Sequence, residues 1–295
     1  MDRRIAISGA SGLIGRALIA SLRGDGIAVT TLVRRPPKNP DEVHWVPGEH
    51  LDPEALAGAE AVIALGGASV GRLPWTRRYQ AELIGSRRRS TKTIATAVRA
   101  LGTDAPAFFS ASAVGYYGSA PGRVLTEQSP AGRTFLAELC VAWEDDARRA
   151  GDDARVVLLR TAPVIHRQGV LKPLIQLTTF GVAGPIGPGI QIWPWISLDD
   201  EVRAIRHVID AQLEGPVNLT GPTPASANEI GRALAQRMRR PFWLPAPTWA
   251  MRLALSRAAT DSLLVSDADV RPAVLEKTGF VFTHETAKSA VAAAL

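Results

Sequence analysis

Three glycines at a fixed spacing near the start of the chain are well suited to hold a phosphate group. Gly9, Gly12 and Gly15 follow an apolar run at 4–8 and open a helical pattern at 13–23. In such a strand–turn–helix the glycines allow a tight turn and close approach of a pyrophosphate, whose charge is attracted to the helix N-terminus. The pattern predicts a dinucleotide site. The residues assigned to it are Gly9, Ser11, Gly12, Leu13, Ile14 and Gly15.

Two arginines lie at the position where a dinucleotide site discriminates NADP(H) from NAD(H). A β-rich run at 28–33 is followed directly by Arg34 and Arg35, and no acidic residue occurs before Asp41. A site selective for NAD places Asp or Glu about 20 residues after the glycine turn, where it binds the ribose hydroxyls. Guanidinium groups instead suit a 2′-phosphate, because they form bidentate charge-assisted hydrogen bonds. The pair predicts NADP(H), the alternative being an ordinary exposed pair of arginines.

Small residues also end two later apolar runs. They are Gly66, Gly67 and Ala68 after the run at 60–65, and Ser110, Ala111 and Ser112 at the end of the run at 107–112. Ligands of open parallel sheets bind at the carboxyl ends of the strands. These residues are therefore predicted to face the cofactor, where a small side chain lets the nucleotide lie against backbone.

Apolar runs and helical patterns alternate through the first half of the chain. Helical patterns cover 13–23, 77–101, 134–149 and 198–213, and further strands are predicted at 155–161 and 216–219. Such alternation forms right-handed βαβ units around a parallel sheet. The predicted fold is α/β: a Rossmann-type, doubly wound parallel sheet over residues 1–165 and a smaller carboxy-terminal substrate-binding region over 166–295. Residues 196–220 are expected to return to the first domain.

The composition excludes several classes of protein. The chain has 295 residues, of which 46% are hydrophobic and 21% charged, as in a globular protein with a real core. The single cysteine, Cys140, rules out an intramolecular disulfide and a thiolate zinc site, and we expect it to be an inert core residue. No histidines pair at metal-ligand spacing, so no metal is expected. The apolar stretches are too short for a signal peptide or for a membrane helix of about 18 residues, which favours the cytoplasm.

The net charge of +6 raises the question of an anionic macromolecular partner. The arginines are scattered, and aromatic residues do not alternate with them as they do in surfaces that stack bases. The arginine run at 87–89 is interpreted as a solvated helix face. Neither nucleic acid nor a membrane is therefore expected as a partner.

Taken together, these segments resemble the short-chain dehydrogenase/reductase superfamily in its extended or atypical branch. Within it they are similar to bacterial epimerase-family proteins with a short carboxy-terminal domain of unknown function. The similarity covers essentially the whole chain, and its most specific segments are 9–15, 110–118, 191–200, 215–220 and 241–245. The resemblance implies a nucleotide-dependent reaction on a small carbonyl or hydroxyl group.

The catalytic residues of that superfamily are only partly matched. Its members use a tyrosine, a lysine four residues later and a serine or threonine, and Ser112 matches the last of these. On the helix expected at 134–149, Thr134 and Glu138 have the spacing of the tyrosine and lysine, and neither can perform their roles. Tyr116 and Tyr117 follow Ser112 closely and are the candidate proton donors. The alternative is that they pack around the site or form structural hydrogen bonds.

Three further residues are candidates for binding the substrate. Arg160 ends a predicted strand beside the cleft and could bind an anionic group, or it could form a salt bridge with nearby acids. Trp193 and Trp195 lie in the segment at 191–200 and could stack on a ring, or they could anchor that segment in an apolar environment.

The predicted function is an NADP(H)-dependent oxidoreductase or epimerase/dehydratase-like enzyme with a small-molecule substrate. Because the tyrosine–lysine pair is missing, the alternative is a catalytically weak NADP(H)-binding sensor or regulatory protein. The helical patterns at 77–101 and 134–149 resemble helices that form dimer interfaces in the superfamily, which suggests a homodimer. A monomer with an exposed arginine-rich helix is the other reading of the same pattern.

Overall fold

A parallel sheet of seven strands forms the centre of the molecule. The structure, a computed structural model, describes residues 3–169 and 171–295. The strands are β1 (Arg4–Ser8), β2 (Ala28–Val33), β3 (Glu42–His44), β4 (Ala61–Ala64), β5 (Ala107–Ala113), β7 (Val156–Thr161) and β10 (Gly215–Leu219). They lie side by side in the order β10-β7-β5-β4-β1-β2-β3. Because β1 lies between β2 and β4, the order reverses there, and a crevice opens at the carboxyl ends of these strands.

Helices cover both faces of this sheet. The helices of the described residues are α1 (Leu13–Gly24), α2 (Arg77–Arg99), α3 (Phe135–Arg148), α4 (Leu171–Thr179), α5 (Leu198–Asp210), α6 (Ala227–Arg237), α7 (Thr248–Leu255), α8 (Arg257–Ala259), α9 (Ala273–Lys277) and α10 (Ala287–Ala294). Of these, α4, α6 and α10 pack together in a separate cluster. Leu18 of α1 and Ile205 of α5 are buried in one cluster with Ile5, whereas Ile94 of α2 is buried with Ala6 on the other face. Successive side chains of a strand point to opposite faces, so β1 contributes to both cores. The predicted doubly wound Rossmann-type fold is confirmed.

Polar side chains fix where several helices begin. Thr76, Thr134 and Ser197 each accept a hydrogen bond from a backbone N–H three residues later, as helix N-caps do. Ser226 and Glu229 form a capping box at the start of α6. Thr134 is thus the N-cap of α3 and lies outside its helical turns.

Two short sheets connect the carboxy-terminal region to the first part of the chain. In one, β6 (Val124–Leu125) pairs with β11 (Asp269–Val270), and in the other β8 (Val164–Ile165) pairs with β9 (Ile196–Ser197). The segment at 182–194 contains neither helix nor named strand. None of the helices within 3–169 and 171–295 has the length and apolar character needed to cross a membrane.

Candidate functional site

The glycine turn between β1 and α1 is packed too tightly to admit side chains at two of its positions. Gly9 has a φ of +79°, and a β-carbon there would lie 2.7 Å from the carbonyl carbon of Leu65. A β-carbon on Gly15 would lie 2.4 Å from the carbonyl oxygen of Gly9. The N–H of Gly12 closes the turn by donating to that same oxygen at 2.9 Å. The turn is therefore held against the end of β4, at the crevice.

The N-terminus of α1 is open to an anion. Its N-cap, Gly12, brings no side-chain cap, and the first helical turn contains no acidic residue. Ser11 and Gly12 are exposed, and Leu13 and Ile14 are half-buried. Backbone N–H groups at an uncapped helix start attract negative charge. These residues fit the pyrophosphate of a dinucleotide.

The two arginines after β2 differ in their surroundings. Arg35 forms a bidentate ion pair with Glu42 of β3, at 2.8 and 2.7 Å. The Arg35 hydrogen bonds lower the pKa of the Glu42 carboxyl to about 2, with the backbone N–H of Lys38 adding to the effect. Arg34 is exposed, and no ion pair among the described residues involves it. Of the pair, Arg34 is the residue whose guanidinium is free to meet a phosphate.

The small residues after β4 pack against α2. Gly67 is exposed, and the N–H of Ala68 donates to the Ser86 hydroxyl at 3.0 Å. A β-carbon on Gly67 would lie 3.1 Å from Cγ of Arg87, so this glycine makes room for an arginine side chain. Gly66 is half-buried. Their assignment to the cofactor stays a prediction.

The residues at the end of β5 are more deeply buried than the small residues after β4. Ser110 is fully buried, Ala111 is half-buried and Ser112 is 4% exposed. The hydroxyl of Ser112 donates to a carboxylate oxygen of Glu144 in α3 at 2.7 Å. Ser112 thus lies where the resemblance places it, with its hydroxyl engaged inside the protein.

Glu144 and Arg160 form a buried ion pair behind Ser112. The Nε and Nη2 atoms of Arg160 donate to the two Glu144 oxygens at 2.8 and 2.9 Å. Arg160 is 2% exposed and Glu144 is 1% exposed. Of the two interpretations of Arg160, the structure contains the salt bridge. The role of Arg160 in binding substrate stays a prediction, and the burial of its side chain argues against that role. Breaking such a pair would leave an uncompensated buried charge.

The two tyrosines after Ser112 have different partners. The Tyr117 hydroxyl accepts from Arg160 at 2.9 Å and donates to the Asn218 side chain at 2.7 Å. Burial raises the pKa of Tyr117 to about 12, so this phenol keeps its proton. Tyr116 is half-buried, with the Arg160 guanidinium carbon 3.6 Å from its ring centroid. Within the described residues no hydrogen bond involves the Tyr116 hydroxyl, and its role as proton donor stays a prediction.

The start of α3 requires a correction of the sequence analysis. Thr134 is the N-cap and Glu138 is exposed, so these two do not form a pair facing the site. Leu136 and Cys140, also four residues apart, are buried toward β5: a β-carbon on Gly115 would lie 3.2 Å from that of Leu136. The Cys140 thiol contacts Ser112, and burial raises its pKa to about 12. An apolar side chain and an unreactive thiol face the site from this helix.

Arg87 lies in the buried stripe of α2, which corrects the view of 87–89 as a solvated face. It is half-buried, and its guanidinium carbon lies 5.2 Å from the ring centroid of Trp143. Arg88 is half-buried as well and pairs with Asp146 at 2.6 Å, whereas Arg89 is exposed. The helical spacing of Leu83, Arg87, Ser90 and Ile94 was a signal in the sequence for this placement.

The two tryptophans of the cleft segment hold the loop in place. Trp195 is 2% exposed, and its indole N–H donates to the carbonyl of Thr223 at 2.9 Å. Trp193 is half-buried and donates to the carbonyl of Leu264 at 3.1 Å. Both hydrogen bonds agree with the alternative that the two tryptophans anchor the segment at 191–200. Stacking of either ring on a substrate stays a prediction.

One sizeable cavity lies beside the start of α1. It has a volume of about 640 Å³ and is lined by Arg167, Gln168, Lys172, Ile175, Gln176 and Leu295. It adjoins α1 through Gln168, which accepts a hydrogen bond from Arg16 at 3.0 Å. Since none of these lining residues belongs to β4, β5 or α3, we do not place the reacting group there.

The chain matches two known families. The NAD dependent epimerase/dehydratase family matches residues 5–219, which include the glycine turn, the sheet and the Glu144–Arg160 pair. The chain belongs to this family. A domain of unknown function, DUF1731, matches residues 246–294, so the resemblance seen in the sequence is confirmed at both ends.

Relatives of this family member cover almost its whole length. It is 42% identical to the epimerase family protein ML0860 of Mycobacterium leprae, over 96% of this chain and 92% of the relative. The crystal structure of human epimerase family protein SDR39U1 with NADPH superposes with a TM-score of 0.89 at 26% identity, covering 98% of both chains. The nucleoside-diphosphate sugar epimerase of Corynebacterium glutamicum superposes with a TM-score of 0.80 at 30% identity, covering 99% of this chain and 58% of that one.

Proposed function

We propose that this family member is an NADP(H)-dependent oxidoreductase or epimerase/dehydratase-like enzyme acting on a small carbonyl or hydroxyl substrate. The observation that carries the proposal is the uncapped, acid-free N-terminus of α1 behind the glycine turn. The unpaired Arg34 at the end of β2 supports NADP(H) over NAD(H), because a 2′-phosphate suits a free guanidinium. The NADPH bound in the human SDR39U1 structure supports the same choice.

The order of the strands supports one direction for the bound cofactor. The adenosine half belongs beside β2, where Arg34 would hold the 2′-phosphate, and the pyrophosphate belongs at Gly12. The other half then extends across the ends of β4 and β5, on the opposite side of β1. When bound there, NADP(H) supplies or accepts a hydride.

Tyr116 is the residue of this chain proposed to move a proton to or from the substrate oxygen. Ser112 and Tyr117 already donate their hydroxyl protons to Glu144 and Asn218. Tyr116 keeps its hydroxyl available and stands beside the same strand end. The Arg160 charge over its ring keeps positive potential close to the phenol.

The test measures loss of NADPH absorbance against a panel of small aldehydes and ketones. Tyr116→Phe is expected to lower the rate by about 10²–10⁴-fold, the usual contribution of a general acid, with NADPH affinity unchanged. Tyr79→Phe is the matched control, since that hydroxyl donates to the Ser69 carbonyl at 2.6 Å and no catalytic role is assigned to it. An undiminished rate in Tyr116→Phe would refute the role, and a loss only in Tyr117→Phe would transfer it to that residue.

A second candidate function has one specific observation in its favour. Leu136 and Cys140 bring no proton donor or ammonium group to the site, which suits an NADP(H)-binding sensor with little turnover. Tight NADPH binding would favour the sensor if no member of the panel oxidises NADPH and no hydroxyl substrate is epimerised or dehydrated in the presence of NADP⁺.

A further inference from the structure

Several apolar side chains lie exposed where α4 ends and where the chain continues after α6. They form the apolar patch, which consists of Leu177, Phe180, Val182, Trp243 and Leu244. Phe180 is 79% exposed and Trp243 is 63% exposed, so both rings protrude from the surface. Leu177, Val182 and Leu244 line one small hollow beside them. Exposed apolar surface of this kind marks a contact with another protein or with a membrane.

Hydrogen bonds hold the two parts of the apolar patch side by side. The backbone N–H of Trp243 donates to the carbonyl of Ala183 at 2.8 Å. The indole N–H of Trp243 donates to the carbonyl of Gly181 at 2.9 Å. Because this indole donor is already satisfied within the protein, the ring can enter an apolar environment without leaving a polar group unpaired.

Arginines border the apolar patch. Arg239 and Arg240 are exposed just after α6, two residues before the patch resumes. Arg232 is exposed as well, and its guanidinium carbon lies 5.9 Å from the ring centroid of Phe242. Arg252 and Arg257 of the next helices pair with an aspartate, whereas none of the ion pairs among the described residues involves the three arginines beside the patch. Their charges are therefore available to an anionic surface.

The sequence around the apolar patch contains no acidic residue. Neither residues 161–198 nor residues 230–260 include an aspartate or a glutamate, and together these segments contain eight arginines and lysines. Since the whole chain has a net charge of +6, the remainder of the chain is at −2. The positive charge of the protein is thus concentrated in the two segments that form the patch.

We propose that the apolar patch and its arginines bind the surface of an anionic lipid bilayer. Exposed aromatic and aliphatic side chains enter the boundary between headgroups and acyl chains, and neighbouring arginines are attracted to anionic headgroups. A fluid bilayer accommodates protruding rings without a matching pocket, which a protein partner would have to provide. A second copy of this chain is a poorer occupant, because the same arginines would face one another across a symmetric contact.

This inference is independent of the proposed function, since no residue of the apolar patch is assigned to the cofactor or to the reacting group. It departs from the sequence-based expectation that no membrane is a partner. That expectation rested on short apolar stretches and on arginines scattered along the chain, whereas folding gathers residues 177–182 and 239–244 on one surface. Binding at a bilayer surface needs no spanning helix.

The experiment measures co-sedimentation of the full-length chain with vesicles of phosphatidylcholine, either alone or with about a quarter phosphatidylglycerol. Wild type is expected to bind the anionic vesicles, less so at higher salt, and to bind the neutral vesicles much more weakly. Arg239→Gln/Arg240→Gln is expected to weaken binding to anionic vesicles by about 30-fold, from about fivefold for each arginine. Arg77→Gln/Arg78→Gln removes another adjacent pair of exposed arginines, at the start of α2, and is the matched control.

A second pair of variants tests the apolar part of the surface. Phe180→Ser is expected to weaken binding to anionic vesicles by about 10-fold, because the variant has no ring to remove from water. Val281→Ser is the matched control, since Val281 is 72% exposed and lies outside the apolar patch. All of these positions are exposed, so each variant is expected to melt as the wild type does.

Four results would overturn the inference. The first is a wild type that does not sediment with anionic vesicles, and the second is equal weakening by both arginine pairs, which would show attraction by net charge alone. The third is a dimer, detected by size-exclusion chromatography, that Phe180→Ser dissociates, since the patch would then join two copies. The fourth is binding to a short DNA duplex that exceeds binding to anionic vesicles and is lost in Arg239→Gln/Arg240→Gln.

Discussion

At the scale of single residues, the polar side chains around the end of β5 differ in how much hydrogen-bonding capacity they have left for a ligand. The hydroxyls of Ser112 and Tyr117 and the guanidinium of Arg160 are joined in one buried network around Glu144. Such a network fixes the strand end in place and leaves its members little capacity to bind a ligand. Tyr116, Arg34 and Arg87 are the polar groups that retain capacity.

The two arginines after β2 give a residue-scale prediction. Arg34→Ala is expected to weaken NADPH binding by about 1.5–3 kcal/mol and to leave NADH binding unchanged, because only NADPH carries the 2′-phosphate. Arg35→Ala is the matched control with a smaller effect, since Arg35 is held by Glu42 at 2.7 Å. Calorimetric titration of both nucleotides measures this. A large loss in Arg35→Ala with none in Arg34→Ala would show that the two roles are reversed.

At the scale of elements, one buried carboxyl joins a helix to the sheet. Glu201 of α5 is fully buried, and one of its oxygens accepts from the Thr161 hydroxyl of β7 at 2.8 Å. Its other oxygen has no partner among the described residues. Burial raises the pKa of Glu201 to about 8, so the carboxyl is protonated in the folded protein at neutral pH.

This carboxyl makes stability depend on pH in a definite direction. A raised pKa in the folded state favours folding fully below the unfolded-state pKa of 4.5, and that contribution is lost as pH rises toward about 8. Glu201→Gln keeps the shape and cannot ionise. The variant is therefore expected to gain melting temperature relative to the wild type as pH increases from about 5 to about 8. Parallel pH profiles for the two proteins would contradict the assignment.

The elements also show which structural features the sequence could predict and which it could not. The strands at Arg4–Ser8 and Ala28–Val33 have the predicted bounds, because short apolar runs between glycine-rich or polar turns leave little choice. The pairing of Glu144 with Arg160 joins a helix to a strand, so it depends on how the two pack in three dimensions. The sequence-based prediction of which side chains of α3 face the site was wrong for a related reason. Only the capping by Thr134 shows where its first helical turn lies.

At the scale of the whole molecule, the sheet brings distant segments to one edge. The turn after β1, Arg34 after β2, Gly67 after β4 and Tyr116 after β5 come from widely separated parts of the chain. Parallel strands place all four at the same end of the sheet. We propose that this edge binds NADP(H), with its pyrophosphate at the start of α1.

Gly12 allows the most direct test of that claim. Its backbone is extended, with φ −73° and ψ 169°, and the residue is exposed. A β-carbon there would lie 3.2 Å from the carbonyl oxygen of Gly9, a tight contact, so the melting curve of the valine variant is part of the test. The side chain would fill the space predicted for the pyrophosphate. Gly24→Val is the control, because a β-carbon at Gly24 meets nothing within 4 Å.

The measurement is calorimetric titration of NADPH into wild type, Gly12→Val and Gly24→Val, with a melting curve for each. We expect wild type and Gly24→Val to bind NADPH, and Gly12→Val to be folded and not to bind. A folded Gly12→Val variant that binds NADPH as tightly as the wild type would contradict it.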